Sequence, residues 1–140
     1  MPHTQVIEFE SVIDNINEVE KLVDDVCAKF HVKEDFYGEI LISMTEAVNN
    51  AIVHGNKLQK DRKVKVTFEV IDDKVIRFTV EDEGPGFDYE HLPDPTAPEN
   101  IEKPHGRGVF LMRQLSDRCE FLDAGRVVIL DFAVLEEQPA

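Results

Sequence analysis

Residues 33–54 read KEDFYGEILISMTEAVNNAIVH, and their apolar side chains recur at intervals of three or four positions. Placed at about 100° per residue, these side chains fill one arc of about 160°, which predicts a helix with one face buried in a core. The arc consists of Phe36, Tyr37, Ile40, Leu41, Met44, Ala47, Val48, Ala51 and Ile52. Gly55 follows as a natural end for this helix, because glycine tolerates the backbone geometry that closes a helix.

Two polar side chains, Glu46 and Asn50, lie on the opposite side of this predicted helix, about 40° apart and one turn from each other. The apolar residues Ile42 and Val53 lie beside them and outside the buried arc. Ligand pockets combine apolar walls with a few polar groups, so this side of the helix favours a binding site. The alternative is that Glu46 and Asn50 are simple surface residues.

The remaining sequence predicts a single α+β domain over residues 1–140. Further helices are predicted at Asn15–Phe30 and Arg107–Leu115, and strands at Gln5–Phe9, Lys63–Ile71, Lys74–Glu81, Arg118–Leu122 and Arg126–Val134. Asp72 and Asp73 predict a hairpin turn, although the glycine that usually follows is missing. Since hairpins join antiparallel strands, we expect a two-layer sandwich in which the long helices cover one face of a mostly antiparallel sheet.

The chain is strongly acidic, with 29 Asp and Glu against 15 Lys and Arg and a net charge of −14. Binding to nucleic acid or to an anionic membrane needs an excess of basic side chains, so neither partner is expected. The acidic surface serves solubility or attracts a basic partner.

Features of secretion and membrane insertion are missing from the sequence. The first residues, MPHTQVIEFE, contain no basic start and no long apolar run, and no segment approaches the roughly 20 apolar residues that span a bilayer. Cys27 and Cys119 have no metal-ligand spacing, and Cys27 falls on an apolar helical stripe, where it is expected to be a core residue. The sequence therefore predicts a cytoplasmic protein.

Two glycine segments follow candidate structural elements. TVEDEGPGF, residues 79–87, ends a strand with Asp82 and two glycines, which let a backbone turn sharply and approach a ligand closely. HGRG, residues 105–108, precedes a helix, and backbone N–H groups at a helix N-terminus bind phosphate. Taken singly, each segment is equally compatible with an ordinary turn.

The stretch from Asp88 to His105 differs from the rest of the chain. It holds four of the seven prolines, namely Pro93, Pro95, Pro98 and Pro104. Proline prevents a long helix, so we expect a loop, and loops of this length inside a compact domain are usually functional or disordered.

In their order and spacing, EAVNNAIVHGN (46–56), DEGPGF (82–87) and GRG (106–108) resemble the motifs of the GHKL, or Bergerat-fold, ATP-binding superfamily. The resemblance covers nearly the whole chain, and the Pro-rich stretch at about 88–105 falls where that family has its ATP lid. We expect the lid to be mobile without nucleotide and ordered with it. Within the superfamily, the sequence TEAVNNAIVHGN looks like that of the bacterial anti-sigma factor serine kinases.

That family implies a protein kinase that transfers phosphate from Mg-ATP to a serine or threonine of a STAS-domain anti-anti-sigma protein. It also implies a sigma factor as a second partner and makes a homodimer plausible. Two other functions remain open: an ATP-binding module that only changes a partner surface, and an ATPase that transfers phosphate to water.

The resemblance assigns roles to three residues of the predicted helix. Glu46 would be the general base that takes the proton of the attacking hydroxyl. Asn50 would be a ligand of Mg²⁺, which favours oxygen ligands and keeps several waters. His54 would lie near the phosphates, or would only cap the helix end.

The resemblance also assigns roles to the glycine segments. Asp82 would accept a hydrogen bond from the adenine amino group, and Gly84 and Gly86 would leave room for the base. Gly106, Arg107 and Gly108 would close over the triphosphate. Arg107 would stabilise charge on the γ-phosphate, or would be an exposed lid arginine.

The sequence departs from the family pattern at two places. Phe110 stands where larger relatives often have a third glycine. Gly125 is followed by Arg126 and Val127, where many relatives have the threonine that supports the adenine-binding acid. The second departure predicts an adenine contact that is weaker or mediated by water.

Overall fold

A computed structural model describes residues 4–85 and 104–135, with the side chains of 104–107 left out. The strands are β1 (Thr4–Glu10), β2 (Lys63–Ile71), β3 (Val75–Glu81), β4 (Arg118–Leu122) and β5 (Val127–Phe132). The helices are α1 (Ile16–Lys29), α2 (Glu34–Asn50) and α3 (Pro104–Leu115). The order of these elements is the one that the sequence predicts.

The strands form a five-stranded sheet in the order β1-β2-β3-β5-β4, and every neighbouring pair is antiparallel. The turn between β2 and β3 places Asp72 and Asp73 in the left-handed region, with φ of 52° and 57°. Aspartate tolerates this region better than most residues, so the hairpin forms without glycine. The predicted mostly antiparallel α+β fold is confirmed.

One face of the sheet carries most of the buried apolar side chains, because side chains alternate along each strand. The buried strand residues include Val64, Val66, Phe68, Ile76, Phe78, Val80, Val128, Leu130 and Phe132. They form one core with buried side chains of α1, α2 and α3, so the helices cover a single face. Cys27 lies in this core as predicted, and burial raises the pKa of its thiol to about 11.

The ends of two elements differ from the sequence prediction. Helix α3 begins at Pro104, inside the predicted loop, rather than at Arg107. Proline suits a first helical turn, because the N–H that it lacks would have no partner inside the helix. The predicted strand Arg126–Val134 shortens to β5, which begins after the helical turn Asp123–Gly125 and ends where its pairing with β3 ends, at Phe132.

Helix α2 ends in a wider turn than the sequence predicts. Residues Ala51–Gly55 form a π-helical turn, in which the N–H of Asn56 donates to the carbonyl of Ala51 at 2.7 Å. Such turns occur frequently at functional sites. In the described ranges 4–85 and 104–135, no helix is both long and apolar enough to cross a bilayer.

Candidate functional site

Helices α2 and α3 bring Glu46, Asn50 and Gly108 together. Glu46 is half-buried and Asn50 is buried, one helical turn apart. A Cβ atom at Gly108 would lie 2.8 Å from Oε2 of Glu46 and 3.2 Å from Nδ2 of Asn50. At Gly108 of the GRG motif, a side chain larger than hydrogen would therefore displace Glu46 or Asn50 of the EAVNNAIVHGN motif.

The side-chain amide of Asn50 has an unsatisfied hydrogen-bond donor among the described residues. Its Nδ2 is buried and has no hydrogen-bond partner among the described residues. Buried polar atoms in proteins are almost always hydrogen-bonded, so this amide has free capacity for a ligand. Because the two ends of an amide exchange by rotation, Asn50 can present Oδ1 here as well, the type of ligand that Mg²⁺ prefers.

The residues present fit a magnesium ion that arrives with a nucleotide. No three His, Cys, Asp or Glu side chains of the described residues come together as a metal cluster. Mg²⁺ bound with substrate phosphates needs only one or two protein ligands and fills its other positions with phosphate oxygens and water. Asn50, beside the carboxylate of Glu46, has an amide oxygen of the type that such a ligand requires.

Asp82 follows β3 and is held through its backbone and its side chain. Its N–H donates to the carbonyl of Arg126 at 2.9 Å, and its Oδ1 accepts from the N–H of Gly84 at 2.9 Å. Burial raises the pKa of the Asp82 carboxyl above its usual value, against smaller lowering effects of the Gly84 N–H and the Arg126 charge. The carboxylate therefore carries an electrostatic cost that a donor on a bound ligand would offset.

A small cavity connects Asp82 with Asn50. Its walls come from α2, α3 and the strands and are mostly apolar: Ala47, Asn50, Ala51, Val80, Asp82, Met112, Phe121, Gly125, Arg126 and Val128. The cavity has a volume of about 20 Å³, room for about one water molecule, so an adenine ring needs space beyond it. Apolar walls with an acceptor at one side are the chemistry that a purine with an exocyclic amine requires.

Ile42 and Val53, which the sequence suggested as pocket walls, do not line this cavity. Ile42 is 45% exposed, and Val53 packs against the core. Val53 packs against the core because the π-helical turn at Ala51–Gly55 changes the direction of its side chain from the one in a regular α-helix.

His54 lies in the π-helical turn and is half-buried. Burial lowers the pKa of its imidazole below the usual value, which favours the neutral ring at pH 7. Gly55 follows and packs on the second motif, since a Cβ atom there would lie 2.3 Å from Oδ2 of Asp82. The turn thus brings the end of α2 against the acid that follows β3.

Some of the predicted site lies outside the described residues. Gly86 belongs to this part, and so do residues 88–103 of the lid that the sequence predicts at about 88–105. Gly106 and Arg107 lie in the first turns of α3, and the positions of their side chains are not described. Their predicted contacts with phosphate stay predictions.

Two positioning residues were given no such role from the sequence. The side chain of Arg126 donates to the carbonyl of Gly84 at 2.6 Å and pairs with Asp123 at 3.1 Å, so this departure from the family pattern ties the β4–β5 turn to the second motif. Asn56, the last residue of the first motif, is fully buried and bonds to the backbone of Glu83. In the sequence, the only sign of this role of Asn56 was its place directly after a glycine that ends a helix.

Comparison with known proteins identifies the family of this chain. A family model described as histidine kinase-like ATPase domain matches residues 9–132. The serine-protein kinase RsbW of Staphylococcus epidermidis is 36% identical over 95 residues, which cover 63% of this chain and 59% of that protein. RsbW of Staphylococcus aureus strain bovine RF122 / ET3-1 is 30% identical over 105 residues, which cover 69% of this chain and 65% of that protein. The chain therefore spans less than two thirds of the length of these relatives.

Solved structures show the same fold at low identity. The structure of the RsbU and RsbW domains of Rv1364c from Mycobacterium tuberculosis superposes with a TM-score of 0.69 at 17% identity, covering 96% of this chain and 33% of that one. The catalytic domain of histidine kinase ThkA gives a TM-score of 0.51 at 19% identity, covering 95% of this chain and 99% of that one.

Proposed function

The chain belongs to the histidine kinase-like ATPase domain family, and on that premise we propose that it is an ATP-dependent serine/threonine-protein kinase. The proposed acceptor is a hydroxyl of a STAS-domain anti-anti-sigma protein. The observation that carries the proposal is the contact of Gly108 with Glu46 and Asn50, which joins a carboxylate, an amide and a helix N-terminal region at one point. The similarity to serine-protein kinases supports the choice of acceptor.

Glu46 is the proposed general base. Its carboxylate is half-buried at the contact between α2 and α3, where it can accept the proton of an attacking hydroxyl while water is partly excluded. A positioned base of this kind contributes about 10²–10⁴-fold to a rate. A module that only binds nucleotide needs no carboxylate at this point, so Glu46 favours an enzyme.

Asn50 is the proposed protein ligand of Mg²⁺. The ion, when bound, neutralises charge on the phosphates. The Nδ2 of Asn50 has no hydrogen-bond partner among the described residues, so it can donate to a phosphate oxygen, and Oδ1 is the atom that would bind the ion. Gly108 packs directly on both side chains, so α3 holds Asn50 beside Glu46.

Asp82 is the proposed acceptor for the adenine amino group. Its Oδ1 already accepts from Gly84, and its carboxylate borders a cavity with apolar walls. Guanine carries a carbonyl oxygen in place of that amino group, which would face the carboxylate unfavourably. The site is therefore proposed to select ATP over GTP.

The partners follow from the proposed reaction. A kinase of this type phosphorylates an anti-anti-sigma protein and binds a sigma factor in alternation, so the chain would regulate transcription by partner switching in the cytoplasm. The net charge of −14 favours basic surfaces on those partners and disfavours nucleic acid. A homodimer is part of the proposal.

The deciding experiment incubates the protein with labelled ATP, Mg²⁺ and STAS-domain proteins of its own organism. The proposal expects label on a serine or threonine of one STAS protein, and its loss with Glu46→Gln. Release of inorganic phosphate without labelled protein would identify an ATPase. Nucleotide-dependent binding of a partner with no transfer at all would identify a binding module.

A further inference from the structure

Asn56 makes three side-chain hydrogen bonds from a fully buried position. Its Nδ2 donates to the hydroxyl of Ser11 at 2.7 Å and to the carbonyl of Lys63 at 3.0 Å, and its Oδ1 accepts from the N–H of Glu83 at 2.7 Å. Ser11 in turn donates to the carbonyl of Arg62. The amide uses both donors and its acceptor, so every polar atom of this buried side chain is satisfied.

Three of these residues close a ring. Lys63 accepts from Asn56 through its carbonyl and donates through its N–H to Oε1 of Glu83 at 2.6 Å. Glu83 donates its own N–H to Asn56. The ring joins the end of α2, the start of β2 and the residue directly after Asp82, so the position of Asp82 depends on all three segments.

The preceding residue, Gly55, holds the same loop from another side. A Cβ atom at Gly55 would lie 2.3 Å from Oδ2 of Asp82, and a Cβ atom at Gly84 would lie 1.8 Å from the carbonyl oxygen of Gly55. The Gly55-Asn56 dipeptide therefore packs against Asp82 and Gly84 and bonds to Glu83 between them.

The π-helical turn explains how the dipeptide reaches this loop. It follows Asn50 directly and carries the chain from the proposed catalytic face of α2 to Asn56, whose N–H bonds back to Ala51. The two halves of the site, Glu46 with Asn50 and Asp82, are thus linked through one short covalent segment and one buried amide.

We infer that Asn56 is a positioning residue that sets the place of Asp82 and thereby the affinity and base selectivity of the nucleotide site. Asn56 does not touch the base; it fixes the backbone N–H next to Asp82. Hydrogen bonds weaken steeply when distance or angle changes, so a shift of the carboxylate reduces selection of adenine before it reduces binding of phosphate. The inference rests on the proposed ATP site.

The test compares Asn56→Ala with Ser11→Ala. Both changes remove one side chain of the same buried network, but only Asn56→Ala frees the N–H of Glu83. Affinities for non-hydrolysable ATP and GTP analogues are measured by calorimetry at a temperature where each variant is folded. Asn56→Ala is expected to weaken ATP about tenfold, the effect of one hydrogen bond, and to leave GTP nearly unchanged. Ser11→Ala should lower the unfolding temperature and keep both affinities.

Glu83→Ala serves as a second variant in case Asn56→Ala does not fold. Glu83 is exposed, so its removal opens the ring at Lys63 without disturbing the core. A smaller loss of the ATP preference is expected. Equal losses in Asn56→Ala and Ser11→Ala would overturn the inference. An unchanged ATP preference in Asn56→Ala, or in Glu83→Ala where Asn56→Ala does not fold, would also overturn it. Absence of ATP binding by the parent protein would instead refute the proposed function. This result differs from the outcomes that overturn the inference about Asn56.

Discussion

Gly108 of α3 lies against the carboxylate of Glu46 on α2, so closely that a Cβ atom at position 108 would be 2.8 Å from Oε2. Carbon and oxygen atoms that are not bonded do not approach to this distance, so any larger residue forces the carboxylate to move. The end of a glutamate side chain is flexible, and such a displacement costs the fold little. Position 108 therefore offers a way to move the proposed base without unfolding the protein.

Gly108→Ala is expected to lower phosphoryl transfer about 10²-fold, because a misplacement of a catalytic group by about 1 Å has an effect of this size. Its unfolding temperature should stay near that of the parent. Gly38→Ala is the matched control, since a Cβ atom at Gly38 meets nothing within 4 Å. This control should keep the transfer rate and gain about 0.5–1 kcal/mol in unfolding free energy. Equal rates for both variants would contradict the contact.

Glu46→Gln is expected to keep Mg-ATP binding and to lose about 10²–10⁴-fold in transfer to protein, because glutamine has nearly the same shape and does not accept the proton. Calorimetry and a single-turnover transfer assay measure the two quantities. Glu39→Gln, an exposed change on the same helix, removes the same charge and should leave both unchanged. Transfer by Glu46→Gln at the parent rate would exclude Glu46 as the base.

Asp82→Asn is expected to weaken the binding of ATP about 10- to 100-fold, since a hydrogen bond to a charged group contributes about 1.5–3 kcal/mol. Calorimetry measures this affinity.

The Asp82→Asn variant should be more stable than the parent at pH 7 without nucleotide. Burial raises the pKa of Asp82 from 3.8, so the folded protein binds more protons than the unfolded chain between 3.8 and the raised value. The parent therefore loses stability as pH rises through that window, and asparagine removes this loss.

Thermal unfolding of Asp82→Asn and parent from pH 3 to pH 8 checks this stability prediction. The stability gain should be present at pH 7 and vanish below 3.8, where Asp82 is protonated in both states. Asp25→Asn, at an exposed position on α1, also removes one negative charge from a protein with a net charge of −14. It therefore controls for the repulsion among the negative charges of the folded protein. A gain of the same size in Asp25→Asn would show that burial of Asp82 is not the cause.

Asp131→Asn is expected to destabilise the fold without changing the nucleotide site. Asp131 accepts two hydrogen bonds from Arg77, at 2.7 and 3.0 Å, on the face of the sheet opposite the helices. Its side chain is only 11% exposed, so the loss of the charged pair should cost about 1.5–3 kcal/mol in urea unfolding. ATP affinity should stay within about twofold of the parent. A change in affinity larger than the change seen with Gly38→Ala would connect the two faces of the sheet.

Local patterns predicted the elements of this fold well. The strands around Asp72-Asp73 and the helix that carries Glu46 follow from alternation and helical periodicity, which depend on neighbours a few residues apart. The ends were less certain, as α3 shows by beginning at Pro104. The π-helical turn at Ala51–Gly55 was not predicted, because nothing in its sequence distinguishes it from a regular last turn.

The sequence by itself determined the order of elements, the buried faces and the three motifs that carry the proposed chemistry, since each depends on residue types at short spacings. The tertiary structure alone decided that Gly108 lies on Glu46, that Gly55 lies on Asp82 and that Asn56 bonds to Glu83. These contacts join segments that are far apart in the chain. Their distances of closest approach depend on how the helices pack on the sheet, and packing is a property of the whole core rather than of any local pattern.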